Sequence, residues 1–173
     1  MQKLLMSVIT LLLVSLLLAC GKDDAPLLPL NDGDGFVFLE NGTTKKMMTR
    51  FNEKTLRDSL TCHGWTLNYA FYYDKNKAGT RSEAHYMQRS FYVFHTDGTV
   101  NVGTTNYPYS QSTVHPFSIN GKAVNVGDKM TFYVVGIDSA ALVVDEPLPG
   151  EIVGDYDPAT LHRRLVMKPY HPL

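Results

Sequence analysis

The chain has 173 residues, 44% of them hydrophobic, and its 16 basic and 17 acidic side chains leave a formal net charge of −1. This length suits one ordinary domain, and the absence of a basic patch or stripe argues against a nucleic-acid partner. The sequence contains no phosphate-binding loop, dinucleotide fingerprint or Gly-x-Ser-x-Gly elbow, so we predict neither a cofactor nor these classes of enzyme.

The first residues have the pattern of a secretory signal. Lys3 precedes an apolar run over residues 4–18, which is shorter than the roughly 20 residues that a membrane-spanning helix needs. The run ends in Leu-Leu-Ala-Cys at Cys20, which resembles the lipobox of bacterial lipoproteins. The resemblance implies that residues 1–19 are removed and that acyl chains on Cys20 anchor the protein, each buried CH₂ contributing about 0.8 kcal/mol. The alternative is an uncleaved transmembrane anchor with an incidental cysteine.

A second signal follows the cysteine directly. Cys20-x-Lys22-Asp23-Asp24 is similar to the lipoprotein export signal of the Bacteroidota, which directs lipoproteins to the outside of the outer membrane. The alternative is a charged, solvated tether that leaves the protein on the periplasmic face. Residues 20–35 are rich in proline, glycine and acidic or amide side chains, as is typical of a tether.

A small hairpin and a short helix are predicted next. Asn41-Gly42 suits a type I′ turn and predicts a hairpin over residues 36–48. Asn52 is a good N-cap, and Leu56 and Leu60 fall four residues apart, which predicts a helix of about two turns.

From Trp65 onward, short apolar-rich segments alternate with turn signals, and no further helix is indicated. Eight strands are predicted, at residues 65–73, 84–95, 99–105, 113–120, 122–126, 130–137, 140–145 and 161–168. Such a meander favours an up-and-down barrel or a sandwich, and closure removes the exposed edges. We predict an all-β domain over residues 36–173: an eight-stranded antiparallel up-and-down barrel, preceded by the hairpin and helix.

Three segments in this order resemble the lipocalin-like lipoproteins of the Bacteroidota, within the calycin group: "LTCHGWTL", "FYVFHTDGTV" and "MTFYVVGIDSAALVV". The resemblance covers residues 56–168 and implies an eight-stranded barrel that often holds a small ligand. One departure is that Gly64 directly precedes Trp65, where lipocalins have Gly-x-Trp. The family also implies a basic side chain from the last strand lying across the tryptophan. Arg163 and Arg164 are the candidates, and we favour Arg163 because it shares a strand face with Leu165.

Strand alternation suggests which side chains a ligand would meet. In the first strand it places Trp65, Leu67, Tyr69, Phe71 and Tyr73 on one face. We predict a small apolar or aromatic ligand within the barrel, and the expected contact residues are Tyr69, Phe71, Gln88, Ser90, Tyr92 and Phe94. The alternative is a solid barrel whose rim binds another protein or a glycan. A connected apolar cavity of about 300 Å³ or more would favour the ligand carrier.

No catalytic residue or metal ligand is predicted. Cys62 has no partner if Cys20 is lipidated, and no two of the six histidines have the i, i+4 spacing of a zinc site on one element. The acidic loop 146–160 is a candidate lid, or a carboxylate pair for glycoside hydrolysis, although loop acids are usually just solvated. Ser59 and Ser139 follow aspartates in a pattern that resembles Bacteroidota O-glycosylation sites, or they are simply a helix-end and a turn serine.

Overall fold

A computed structural model describes residues 35–40, 43–74, 80–82, 89–106, 109–128, 130–146 and 161–170. The signal peptide, nearly all of the tether, the Asn41-Gly42 turn and Gln88 lie outside the described residues. The predictions about Cys20, Lys22, Asp23 and Asp24 therefore stay predictions, as do the domain boundaries.

The predicted N-terminal hairpin is present. β1 (Phe36–Phe38) and β2 (Thr44–Lys46) pair antiparallel, with Val37 opposite Lys45. Two residues beyond β2, Met48 exchanges backbone hydrogen bonds with Ile137, at 3.2 and 3.1 Å. These bonds fix the hairpin to the side of the barrel.

The predicted helix is also present, as α1 (Glu53–Thr61). The side-chain oxygen of Asn52 accepts a hydrogen bond from the Thr55 backbone N–H at 2.9 Å, and the Thr55 hydroxyl oxygen accepts one from the Asn52 N–H at 3.0 Å. This reciprocal cap satisfies two backbone donors and sets where the helix begins. Leu56 and Leu60 are fully buried, which confirms their spacing as the buried face.

The remaining elements are all strands: β3 (Gly64–Asp74), β4 (Thr80–Ser82), β5 (Arg89–Phe94), β6 (Thr99–Asn106), β7 (Tyr109–Asn120), β8 (Ala123–Val126), β9 (Met130–Ile137), β10 (Leu142–Glu146) and β11 (Leu161–Tyr170). β3 pairs with β5, and from β5 to β11 each strand pairs antiparallel with the next. A ladder between β3 and β11, from Gly64 opposite Tyr170 to Asp74 opposite Leu161, closes eight strands into a ring. The predicted eight-stranded up-and-down barrel is confirmed. The short β4 pairs with residues 71–73 of β3 on the same edge as β5, because β11 occupies the other edge of β3.

The two ends of the ring differ. At the end where β3 begins, which we call the base, α1 packs Leu56 and Leu60 against Trp65, and the indole N–H donates to the Leu60 carbonyl oxygen at 3.1 Å. At the opposite end, which we call the far end, fewer pairs are seen among the described residues. β5 pairs with residues 64–66 of β3 and β4 with residues 71–73, and along β7 the four-residue β8 pairs with the last four residues alone. The wall of the ring is therefore lower at β8.

Two clusters of buried side chains lie on opposite faces of the ring. The inner cluster contains residues from all eight ring strands and α1, as expected for a barrel interior. The outer cluster joins the hairpin to four neighbouring strands on the outside, and its members are Val37, Phe38, Met47, Phe71, Tyr73, Val135, Ala141, Val143 and Val166. The hairpin therefore covers an apolar patch on the outside of the barrel.

Two bulges create that patch. In β3, Leu67 lies opposite Met167 but Tyr69 lies opposite Val166, so Asn68 is an extra residue. In β9, Val134 and Gly136 lie opposite consecutive residues of β10, so Val135 is extra. Beyond each extra residue, side chains that strict alternation would point inward point outward instead, and the reverse.

Candidate functional site

A cavity of about 320 Å³ lies at the far end, and its lining residues are Val102, His115, Val126, Gly127, Asp128 and Met130. Val126 belongs to the inner cluster, and Val102 and Met130 pack against it, so the cavity adjoins the barrel interior. It lies where the wall is low, beside the β8–β9 turn. Its volume is at the lower end of the range of about 300–1,000 Å³ for small-molecule sites.

Two aromatic rings lie in the barrel interior close to the cavity-lining residue Val102. Tyr92 lies directly opposite Val102 in the β5–β6 ladder. Its ring meets that of Phe132 edge to face across the barrel, with centroids 5.9 Å apart. Closer to the base, Phe94 contacts both Phe117 and Phe132, at centroid distances of 5.0 and 6.3 Å. Aromatic side chains therefore fill the base half of the barrel, and the cavity is confined to the far half.

An ion pair lies on the inner face of the far end. Arg163 and Glu146 are opposite each other in the β10–β11 ladder, and Arg163 Nη1 donates to Glu146 Oε2 at 2.6 Å. Both residues alternate with inner-cluster residues, Leu165 and Val144, so their side chains begin on the inward face. Those side chains are only 15% and 21% exposed. The interior thus contains an ion pair on its β10–β11 side, whereas the cavity is lined by both apolar residues and the polar His115 and Asp128.

The hydroxyl of Tyr92 lies near this ion pair. Burial, followed by the Glu146 carboxylate, raises the pKa of Tyr92 to about 12, against the opposing effect of the Arg163 guanidinium. The hydroxyl is therefore protonated at neutral pH and able to donate. It makes no hydrogen bond with any described residue, and no fully buried side-chain N or O atom in the described ranges lacks a partner. The hydroxyl oxygen must therefore be in contact with solvent, although Tyr92 as a whole is only 5% exposed.

Two of the predicted ligand contacts are wrong. Phe71 belongs to the outer cluster, and Tyr69 packs against that cluster. The prediction assumed unbroken alternation from Trp65 and Leu67, but the extra residue Asn68 turns the later aromatic residues outward. Tyr69 and Phe71 therefore support the hairpin and cannot line the barrel interior.

The other predicted contacts have different outcomes. Tyr92 and Phe94 are in the inner cluster, and Ser90 shares their strand face. Ligand contact by these three residues stays a prediction, with Tyr92 the nearest to the cavity through Val102. The predicted contact by Gln88 falls outside the described residues.

The predicted contact between Arg163 and Trp65 is also wrong. In the β3–β11 ladder, Arg163 lies opposite Tyr72 and Trp65 lies opposite Pro169, six residues further along β11. That separation is about 20 Å along a strand, so the guanidinium cannot cover the indole. The prediction placed Arg163 on the inward face but at the wrong end of the barrel. At the base, α1 covers Trp65 instead.

Arg164, the alternative candidate, is fully buried on the outer face. Its Nε and Nη2 donate to the two carboxylate oxygens of Asp145 at 2.7 and 2.8 Å, and Nη1 donates to the backbone oxygen of Phe38 at 2.8 Å. Nη2 also lies 3.0 Å from the Tyr73 hydroxyl, and the guanidinium stacks on the Tyr73 ring. Arg164 therefore holds β1 to the barrel, and its role is structural.

Sequence reasoning missed Val102, Val126 and Met130 as cavity residues and Glu146 as an interior residue. Alternation of Val100 with Val102, and of Val124 with Val126, was a usable signal for the inward face of β6 and β8. The wall is low at β8 because only four of its residues pair with the neighbouring strands, and the alternation of apolar residues in the sequence does not predict that number. Glu146 was assigned to the loop 146–160, whereas it ends β10.

No three His, Cys, Asp or Glu side chains within the described ranges are grouped so that they could hold a metal ion. Among the described helices, none is long and apolar enough to cross a membrane. In comparisons with known proteins, no family model, curated protein or solved structure matches this chain.

Proposed function

We propose that this chain is a lipid-anchored protein of the outer cell surface whose barrel binds a small, mainly apolar molecule at the far end. The observation that carries the proposal is the cavity of about 320 Å³ bordered by Val102, Val126 and Met130. Since α1 and Trp65 occupy the base, a ligand would approach from the far end. The sequence resemblance to lipocalin-like lipoproteins points the same way, and no enzymatic activity is part of the proposal.

The anchoring part rests on the sequence around Cys20. The lipobox and the following Lys22-Asp23-Asp24 support acylation of Cys20 and export to the outside of the outer membrane. The test is fractionation and protease treatment of intact cells that make the protein. We expect membrane retention to be lost in Cys20→Ser. Protease sensitivity should disappear when Lys22, Asp23 and Asp24 are all replaced by alanine, and wild-type protein that resists protease would contradict surface exposure.

Ligand binding can be tested with an apolar fluorescent probe such as N-phenyl-1-naphthylamine. Val102→Trp fills the cavity and should weaken probe binding by tenfold or more. Val114→Trp is the matched control because Val114 is also on the β6–β7 hairpin but is 64% exposed to solvent. Mass spectrometry of the purified protein, made without the probe, would reveal a co-purifying molecule.

Equal probe binding by the two variants, or no binding by the wild type, would contradict a ligand site in the cavity. That result would favour the alternative of a barrel without a ligand, whose rim binds another protein or a glycan.

A further inference from the structure

The cavity at the far end has a polar side as well as an apolar one. Its apolar lining consists of Val102, Val126 and Met130, and its polar lining includes His115 and Asp128. Asp128 lies in the β8–β9 turn, two residues from both Val126 and Met130, which pair with each other across that turn. A charged group therefore lies next to an apolar wall, an arrangement that suits a ligand with one apolar and one polar end.

His115 points into the barrel. The β6–β7 ladder places it opposite the inner-cluster residue Val100, and paired residues share a face of the sheet. One ring nitrogen, Nε2, lies 2.7 Å from Thr113 Oγ1. The other, Nδ1, faces Gly127, since a Cβ at position 127 would lie 3.4 Å from it. Because glycine has no side chain, Nδ1 is left open to the cavity that His115 and Gly127 both line.

The hydrogen bonds of Thr113 assign the proton of the imidazole ring. The Thr113 hydroxyl donates to the Val102 carbonyl oxygen at 3.5 Å. A hydroxyl has a single proton, so its oxygen then accepts from the Nε2–H of neutral His115. In that tautomer Nδ1 carries a lone pair and accepts hydrogen bonds. His115 and Asp128 thus offer the cavity two acceptors.

The charge of the cavity lining is negative. Asp128 is exposed at the rim, and none of the described residues that line the cavity is a lysine or an arginine. On the β10–β11 side of the interior, the charges of Arg163 and Glu146 neutralise each other in their ion pair. A cation beside Asp128 is therefore favoured, and an anion is disfavoured.

We propose that the ligand is an amphipathic amine. Its ammonium group donates to the Asp128 carboxylate and to His115 Nδ1, and its apolar part lies against Val102, Val126 and Met130. This inference rests on the proposed function and deepens it by naming the ligand class. An ammonium group has three donors and no acceptor, which matches two acceptors and a negative charge. At about 30 Å³ for each water-sized group, the cavity suits a ligand of roughly ten such groups.

Other polar ends fit this site less well. A carboxylate would face the like charge of Asp128 and has no proton to donate. An alcohol has one O–H, so it donates to only one of the two acceptors and gains no attraction between opposite charges. Hydrogen bonds in which both groups are charged are stronger than those of a neutral donor, so the amine should be preferred over both.

The test compares octylamine, 1-octanol and octanoate, which have the same chain length, by displacement of N-phenyl-1-naphthylamine from the full mature protein. The measurement is made at pH 8, where an alkylamine is charged and free histidine is neutral. We expect octylamine to bind at least tenfold more tightly than 1-octanol, and octanoate to bind most weakly.

Two variants assign the preference to the polar side of the cavity. Asp128→Asn keeps the size of the side chain and removes its charge, so it should weaken octylamine binding about five- to tenfold and leave 1-octanol binding unchanged. His115→Phe keeps a ring and removes the acceptor, and it should weaken octylamine binding more than 1-octanol binding. The matched control is Asp58→Asn, which removes an exposed aspartate charge from α1 at the base and should affect neither. Far-ultraviolet circular dichroism shows whether each variant is folded.

A third variant tests the charge argument itself. Lys129 follows Asp128 in the sequence and lies outside the described residues. Lys129→Gln removes a positive charge next to the proposed site, so octylamine binding should be equal or tighter. Weaker octylamine binding in this variant would contradict the charge argument.

Each outcome decides the matter. An octylamine affinity less than tenfold above that of 1-octanol or of octanoate would overturn this inference and leave the proposed function intact, as would an unchanged preference for octylamine in folded Asp128→Asn. Displacement of the naphthylamine by none of the three compounds would also overturn it. The proposed function fails as well only if the wild-type protein does not bind the naphthylamine or the cavity-filling Val102→Trp variant binds it normally.

Discussion

At the scale of single residues, Arg164 shows how this barrel tolerates a buried charge. The side chain is 0% exposed, and its guanidinium donates to Asp145, the Phe38 carbonyl and the Tyr73 hydroxyl. The Tyr73 hydroxyl in turn lies 2.7 Å from Asp145 Oδ2. Taking the two charges out of water is unfavourable, and the bidentate geometry with these additional bonds offsets that cost.

The removal of the negative partner should therefore be strongly destabilising. We expect Asp145→Asn to lower the free energy of unfolding by about 3–5 kcal/mol, because it leaves the guanidinium charge buried and uncompensated. Urea unfolding measures the change. The matched control is Asp58→Asn, which breaks an exposed i, i+4 pair with Lys54 and should have a much smaller effect. Similar values for the two variants would show that the buried network contributes little.

The two neighbouring arginines also show what local pattern can predict. Alternation places Arg163 and Arg164 on opposite faces of β11, and the structure has them so, with Arg163 beside Glu146 inside and Arg164 beside Asp145 outside. The sequence could not show that the outer face is also buried at this point. That burial depends on β1, more than 120 residues earlier in the chain, which supplies the Phe38 carbonyl.

At the scale of elements, the hairpin and the two bulges depend on each other. The number and order of the strands, the capped helix and the pairing of β1 with β2 could all be predicted from turn signals and apolar spacing. The β3 bulge could not, because no glycine or other special residue in Leu67-Asn68-Tyr69 marks the extra position. The prediction of Tyr69 and Phe71 as interior residues failed for this reason, since one extra residue reverses every later position in a strand.

The close approach of the hairpin to β9 depends on Gly136. A Cβ at this position would collide with Val37 Cγ2 and lie 3.2 Å from Met47 Cβ. We expect Gly136→Ala to lower the free energy of unfolding by about 1–3 kcal/mol through overpacking. The double variant with Val37→Ala should cost less than the sum of the two single changes, because it removes the colliding methyl group. Strict additivity in chemical denaturation would mean that the two residues do not meet.

The hairpin also makes an ion pair whose contribution to stability is lost at low pH. Lys45 Nζ lies 2.8 Å from Asp138 Oδ2 in the β9–β10 turn. Partial burial acts to raise the pKa of Asp138, but the Lys45 hydrogen bond, the Ala140 and Ala141 backbone N–H groups and the Lys45 charge together lower it below the usual value of 3.8. The folded state therefore favours the ionised carboxylate. The resulting stabilisation is present above the unfolded-state pKa and is lost as the pH falls through the folded-state pKa.

Asp138→Asn should accordingly reduce stability at neutral pH, and the difference from wild type should shrink as the pH falls below about 4. The effect is small, less than about 1 kcal/mol for the ion pair itself, since both groups are partly exposed. Thermal unfolding at a series of pH values measures it. A difference that is constant from pH 7 to pH 2, or that grows in acid, would contradict this assignment.

At the scale of the whole molecule, the ring closes fully between β3 and β11 but is uneven around its far end. At the base, α1 and the aromatic residues fill the interior, whereas the wall at β8 is four residues long and the cavity lies beside it. The residues that form the packed core are therefore at the opposite end of the barrel from the cavity: the base supplies the packed core, and the cavity lies at the far end.

β7 contains both environments within one strand. Residues 117–120 pair with β8, and the Phe117 N–H also donates to the Gly98 carbonyl oxygen, whereas residues 109–116 pair with β6 alone among the described strands. We expect slow amide hydrogen exchange at Phe117 and at those amides of residues 118–120 that point to β8. Over residues 110–115 the amides that point to β6 should exchange slowly, and those that point to the β8 side should exchange rapidly.

Amide hydrogen exchange measured by NMR on the mature protein tests this predicted difference in protection within β7. The amides bonded to β8 in its last four residues serve as the internal control. Uniform protection along the whole strand would mean that some other part of the chain covers its free edge, and the cavity would then be closed where we place its entrance. Rapid exchange confined to that edge, and slowed by a bound apolar probe, would instead locate binding at the far end. A ligand stabilises the native state in proportion to how far its concentration exceeds its Kd, and the greatest local effect is expected where opening is easiest.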